Sequence, residues 1–269
     1  MNSLKQAVIV IPIYKGTIST LESIALLQAK KILSGYPIIA IKPLSLVLPV
    51  QIASYGFTAI ISFDDHYFKD VQGYNELMLS NVFYKEFLAY EYMLIHQLDA
   101  FVFANELDYW CKQQYDYIGA PWIYPHDYPN FIKALTAKFK GYVHRRYNIL
   151  RGGLPSLKQF ENQVGNGGLS LRRVKKFHDL SIALHDSKAA YLSHNEHHFN
   201  EDNFWSIEVN RKRKVLNIPS YKKALKFSVE NFPDRAFKLS HGHMPFGCHA
   251  WDKHLDFWRP VFEKYGYTI

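Results

Sequence analysis

The strongest constraint on the fold is an alternation, over the first hundred residues, between short apolar runs and longer stretches of helical spacing. Residues 7–13 are apolar and rich in β-branched side chains, as a strand buried on both faces requires. Residues 17–33 carry Leu21, Ile24, Leu27 and Ile32 at helical spacing and stop at Gly35 and Pro37. Further strands are predicted over 37–41, 58–63 and 92–96, the last preceded by a helical stretch from about 74 to 90. Strands and helices alternating at this interval specify βαβ units and a mostly parallel central sheet flanked by helices. In such sheets ligands bind beyond the carboxyl ends of the strands. That directs attention to Tyr14-Lys15, Lys42, Asp64-Asp65 and residues 97–99.

The second half is less regular. Polar and aromatic loops fill 115–130, and a basic helix is predicted over 131–146. A turn follows at Gly152-Gly153-Leu154-Pro155, then a strand over 164–171, a helix over 173–185 and a last helix around 252–265. No internal repeat or long linker divides the chain. The expectation is therefore one α/β domain over 1–269 with an elaborated carboxyl half. A chain of 269 residues is long enough to bury a core without staples. Aromatic residues reach 16%, and most of them are expected in that core.

Cys111 and Cys248 are too few for a disulfide framework, so a reducing, cytoplasmic setting is expected. No run approaches the roughly 20 apolar residues of a membrane span. Lys and Arg number 32 against 24 Asp and Glu, a net charge of +8 that attracts polyanions. The excess gathers at 138–146, at Arg172-Arg173 with Lys175-Lys176, and at Arg211-Lys212-Arg213-Lys214. No nucleic-acid-binding module accompanies these runs, so nucleic acid is not an expected partner. The first run interleaves Phe139, Tyr142 and Val143 with Lys138, Lys140, Arg145 and Arg146. That pattern suits peripheral contact with an anionic membrane, or a solvated helix packed on the domain.

No Gly-x-Gly-x-x-Gly or Walker loop follows the first strand, and no Gly-x-Ser-x-Gly elbow occurs anywhere. Asp99 closes an apolar strand, where a carboxylate needs a partner, a metal or a turn to cap. Gly165-Asn166-Gly167-Gly168 either admits a ligand to bare backbone or makes a bulge. Glu201-Asp202 suits a helix start, whose dipole keeps a carboxylate ionised, or a general base. His194, His197, His198, His241, His243 and His249 crowd the end of the chain, without the His-Glu-x-x-His order of zinc proteases.

Taken in order, several segments resemble nucleotide-sugar glycosyltransferases of the GT-A fold, and more narrowly a family described as glycosyltransferase-like. The matching pieces are residues 74–78, Gln97-Leu98-Asp99, residues 115–122, residues 165–172, Glu201-Asp202 and residues 246–251. The likeness spans about residues 6–260 and implies a Rossmann-like GT-A domain, with a nucleotide-sugar half over 1–104 and an acceptor and catalytic half over 105–269.

The resemblance also implies roles. GT-A enzymes carry Asp-x-Asp after the fourth strand, to hold a divalent cation against the donor diphosphate. Here the first acid is the amide Gln97, which leaves Asp99, joined by His249 from a late loop, as ligands for Mn²⁺ or Mg²⁺. Pro12, Tyr14, Lys15, Asn75, Gln97, Asn166, Gly167 and Gly168 map to donor binding, and Trp122, Trp205 and Trp251 to acceptor binding. The stretch from Gly167 to Asp202 is similar to inverting β-galactosyltransferases, which makes Asp202 the base and Glu201 an orienting group. Spacing alone leaves the exchange of those two roles open. The implied activity moves a hexose from a nucleoside diphosphate sugar, UDP-linked by analogy, to a glycan or lipid-linked oligosaccharide. Bacterial surface polysaccharide synthesis at the inner face of the membrane is the setting such an activity suits. The competing expectation is a carbohydrate-binding or scaffold protein that kept the fold and lost the chemistry.

Overall fold

The predicted alternation is realised in a computed structural model, which describes residues 5–269. In chain order come β1 (Lys5–Pro12), α1 (Thr20–Ile32), β2 (Ile38–Pro43), α2 (Val50–Ala53), β3 (Ala59–Phe63), α3 (Val71–Leu79), α4 (Asn81–Lys85) and β4 (Tyr90–His96). A capping box opens α1: Ser19 N donates to the Glu22 carboxylate at 2.7 Å and Glu22 N to Ser19 Oγ at 3.2 Å. The helix predicted over 74–90 is instead broken at Ser80. Its hydroxyl accepts from Phe83 N at 3.1 Å, ending one helix and starting the next.

The first four strands pair in parallel in the order β3-β2-β1-β4. β1 is central, with Ile9 opposite Ile38 on one side and Leu94 on the other. Strand parity divides the core. Ile9 and Ile11 face the layer containing Leu26 of α1, while Val8 and Val10 face the layer containing Leu77 and Phe83. Both faces are covered, which is why β1 reads as a continuous apolar run.

The second half extends this sheet and adds a smaller one. Its elements are β5 (Ala100–Val102), α5 (Leu107–Lys112), β6 (Tyr117–Ile118), β7 (Pro121–Trp122), α6 (Phe131–Arg146), β8 (Leu150–Arg151), β9 (Leu154–Pro155), β10 (Gln163–Val164), β11 (Leu169–Arg173), α7 (Val174–Ala183), β12 (Ser228–Val229) and β13 (Gly247–His249), with a last helix at Leu255–Glu263. β11 pairs antiparallel with β4, setting Leu171 opposite Leu94, and β6 closes that edge. β5 leaves the main sheet to join β13 and β12. The single strand predicted over 164–171 is two short strands, β10 and β11, separated by the glycine-rich stretch 165–168.

Candidate active site

The chain lays β2 and β3 on one side of β1 and returns to place β4 on the other. The strand order therefore reverses between β1 and β4, and a crevice opens at their carboxyl ends. A cleft of about 620 Å³ lies there, within the ordinary range for small-molecule sites. Pro12 and Tyr14 line it from β1, and Gln97, Leu98 and Asp99 from β4. The ends of β2 and β3 stay outside. Asp64 accepts from His66 N at 3.1 Å and Asp65 from Ser45 N at 2.9 Å, so both carboxylates serve turns.

Backbone geometry brings Asp99 to His249. Gln97 N donates to Gly168 O at 2.8 Å and Ala100 N to Gln97 O at 3.0 Å, folding residues 97–100 into a tight turn. β5 then pairs with β13 so that Ala100 stands opposite His249. His249 Nε2 lies 3.1 Å from Asp99 Oδ1 and 3.1 Å from Gln97 Oε1. Behind the ring, Nδ1 faces Glu230 Oε1 at 3.5 Å. Burial alone lowers the imidazole's pKa, but Asp99 and Glu230 outweigh it and raise the value to about 9. Burial pushes Asp99 up in turn, and the His249 hydrogen bond more than offsets it, holding the carboxyl low.

The donor set fits a hard divalent cation. A histidine backed by a carboxylate, facing a second carboxylate and an amide oxygen, is the arrangement that orients an imidazole toward a metal. No group of three His, Cys, Asp or Glu among the described residues is placed to hold an ion. Gln97 Oε1, ligand oxygens and water must therefore complete any coordination. The other late histidines stand apart; His194, for one, stacks on Phe199 with ring centroids 4.0 Å apart. Glu230 is the residue the sequence concealed: it follows a two-residue strand and belongs to no motif.

The neighbouring acids have unequal surroundings. Both Glu201 oxygens accept from the buried Arg172 guanidinium, at 2.9 and 3.1 Å, and Arg172 also donates to Tyr84 Oη at 2.9 Å. Glu201 N donates to Asn75 Oδ1 at 3.1 Å, which ties the turn to α3. Among the described residues Asp202, half-buried on the cleft wall, accepts only from Asn203 N, at 2.8 Å. Burial first, then Glu201 and Glu230, push its carboxyl up to about 7. Burial and the two neighbouring acids thus oppose the ionisation expected from a helix terminus. The helical turn Glu201–Asn203 is three residues long, too short to set its charge state against burial and two acids.

The glycines also serve the packing of the site. A Cβ on Gly168 would overlap the His249 ring, and one on Gly167 would overlap the Glu201 carboxylate. They make room for the site's own side chains. A Cβ on Gly165 would strike the Trp122 ring, one on Gly119 would strike Asn166 O, and Tyr117 Oη donates to Gly165 O. Residues 117–122 and 165–168 are therefore a single interlocked unit.

Of the residues singled out from sequence, Pro12, Tyr14, Asn75, Gln97, Asp99 and His249 line the cleft, as do Asn166, Gly167, Gly168, Glu201 and Asp202. Lys15 does not; its ammonium pairs at 2.8 Å with Glu22, which does. The three tryptophans are placed elsewhere too. Trp205 and Trp251 are 0% exposed core residues, and Trp122 covers Gly165, so none presents a ring to the cleft.

The fold is similar to that of a galactosyltransferase, LgtC, solved with donor and acceptor sugar analogues. The TM-score is 0.52 at 11% identity, over 90% of this chain and 86% of that one. Mouse xyloside xylosyltransferase 1 in its apo form aligns over 92% of this chain and 98% of its own at 12% identity, with a TM-score of 0.43. No curated protein matches the sequence. The fold is that of GT-A glycosyltransferases. The model of a family described as "Protein of unknown function (DUF5672)" matches residues 57–249, which run from the start of β3 through the acidic pair to His249, and the chain belongs to that family.

Proposed function

We propose that the protein is an inverting, metal-assisted glycosyltransferase that moves a hexose from a nucleoside diphosphate sugar, UDP-linked, to a hydroxyl of a glycan or lipid-linked acceptor. The observation that carries this reading is the inequality of the acidic pair. Arg172 occupies both oxygens of Glu201, while Asp202 faces the cleft with a carboxyl near neutrality. A general base works best when its pKa lies near the operating pH. Asp202 takes the proton of the acceptor hydroxyl as its oxygen bonds to the anomeric carbon. The bond from that carbon to the diphosphate breaks, and its electron pair leaves with the diphosphate. Glu201 is then a positioning residue, held by Arg172 and Asn75 so that its neighbour reaches the cleft.

Asp99, His249 and Gln97 Oε1 would hold Mn²⁺ or Mg²⁺, with Glu230 orienting the imidazole; such an ion neutralises the charge on a diphosphate. Pro12, Tyr14, Asn75, Asn166, Gly167 and Gly168 form the wall against which the donor lies. The setting that fits is assembly of bacterial surface polysaccharide at the inner face of a membrane. Hydrolysis and transfer assays over a panel of nucleotide sugars, with and without Mn²⁺, test the proposal. Expected are turnover with one donor class, dependence on the metal, and a loss of about 10² to 10⁴ in kcat for Asp202→Asn with donor affinity retained. The amide at Gln97 favours a second reading, a sugar-binding protein without chemistry. Binding of the same donors without turnover would establish that reading instead.

A further inference from the structure

We infer that α6, with the cationic cavity beside it, is a docking surface for an anionic phospholipid bilayer. The helix lies almost wholly on the surface: Gly141 is its one buried residue. It rests on the body through Ala134, Ala137 and Gly141, and is pinned by His144 Nδ1 to Ser156 Oγ at 2.9 Å. Its large side chains point away. Phe131 is 79% exposed, Ile132 73%, Leu135 55% and Phe139 65%, and Leu157 on the adjoining turn is 66% exposed. So contiguous an apolar row on a surface marks an interaction site.

Charge on the same helix says what covers it. Residues 128–160 contain seven Lys or Arg and no Asp or Glu. Beside α6 lies a second cavity, of about 590 Å³, lined by Lys138, Arg145, Arg146, Arg211 and Lys214 and by no carboxylate. Arg145 and Arg211 are spent on structure, reaching Gln159 O at 3.4 Å and Gln159 Oε1 at 2.8 Å. Lys138, Arg146 and Lys214 are exposed; Arg146 donates to Arg211 O at 3.5 Å and Lys214 to Asn217 Oδ1 at 2.9 Å, and each keeps further N–H donors for an anion. A row of Phe, Ile and Leu flanked by a pocket that takes phosphates is the chemistry of the boundary between headgroups and acyl chains. A second copy of the chain would bring like charges face to face. A soluble polyanion would leave the apolar row uncovered.

This inference does not rest on the glycosyl-transfer reading, though the two surfaces are neighbours. Gln163 and Val164 line the cationic cavity, and Asn166, Gly167 and Gly168 line the catalytic cleft, so the six-residue segment 163–168 reaches both.

Cosedimentation of the full chain with vesicles, without any donor, tests it. Phosphatidylcholine vesicles containing phosphatidylglycerol should bind the protein, pure phosphatidylcholine only weakly, and added salt should release it. Lys138→Glu, Arg146→Glu and Lys214→Glu together should lower the partition coefficient at least about a hundredfold, from roughly fivefold per cation. Phe131→Ser, Leu135→Ser and Phe139→Ser together should also detach it. All six positions are exposed, and unchanged melting of both variants confirms that the fold survives. Equal binding to neutral and anionic vesicles overturns the proposal, and so does binding indifferent to the serine substitutions. If the serine variant instead changes oligomeric state, the row is a contact between copies. If the charge variant loses affinity only for pyrophosphate or RNA in solution, the cavity is a soluble-anion site. Either outcome replaces the bilayer.

Discussion

Asp202 joins function to stability through one titration. Burial raises its pKa to about 7 from an unfolded value near 3.8, with Glu201 and Glu230 adding to the shift. A group whose folded pKa is raised favours the fold below the unfolded value, and that contribution is lost as pH rises through the folded one. Asp202→Asn should therefore melt above the wild type at pH 8, with the gap narrowing as pH falls toward 4. A helix-capping carboxylate predicts the opposite sign. The acid limb of kcat/KM, which reports the free enzyme's base, should lie near pH 7 in the wild type. Arg172 tests the other half of the pair. Arg172→Met leaves a carboxylate buried without its partner and should cost about 3–5 kcal/mol in denaturant unfolding. The double variant Arg172→Met with Glu201→Leu should recover most of that loss, because it removes both charges together. Adjacency of Glu201 and Asp202 was legible in the sequence, and their division of labour was not. That division depends on Arg172, which lies 29 residues from Glu201 and pairs with it only across the fold.

Among elements, legibility followed local chemistry. α1 and β1–β4 were readable because apolar period and stop signals agree within each segment. The break at Ser80 is not legible in the sequence because one hydroxyl capturing Phe83 N overrides a continuing apolar period. The split between β10 and β11 escaped for a different reason. Glycines within a strand pattern look alike whether they bend the chain or make room, and here the crowding comes from Trp122, Glu201 and His249. The distinction is testable. Gly168→Ala should displace the imidazole and weaken Mn²⁺ binding by about 10- to 100-fold in calorimetric titration. Gly35→Ala, with nothing within 4 Å of the added methyl, should leave binding unchanged. Equal, near-normal Mn²⁺ affinity in both variants would remove His249 from the cation's ligands.

At the scale of the whole molecule, strand order decides where chemistry sits, and strand order is a property of pairing. The alternation of elements predicted a parallel sheet, but only the β3-β2-β1-β4 order selects the ends of β1 and β4 over those of β2 and β3. The same scale explains the tryptophans. Four of the five are fully buried, because ring area is worth more in this aromatic core than on a cleft wall. Since the cleft draws Asp99 from the first half and Asp202 and His249 from the second, ligand binding must stabilise both halves together. UDP with Mn²⁺ should raise a single melting transition instead of splitting it. At a hundredfold excess over Kd the added stability is about 2.7 kcal/mol, which in a chain of this size moves Tm by about 5 °C or more. Asp99→Ala should abolish the Mn²⁺-dependent part of the shift and lower the ligand-free Tm only modestly, because the Asp99 carboxyl is partly exposed and Glu230 still faces the buried imidazole. A full, Mn²⁺-dependent shift in that variant would show that the cation sits elsewhere, and the pairing of Asp99 with His249 would then be an ordinary ion pair closing the turn between β4 and β5.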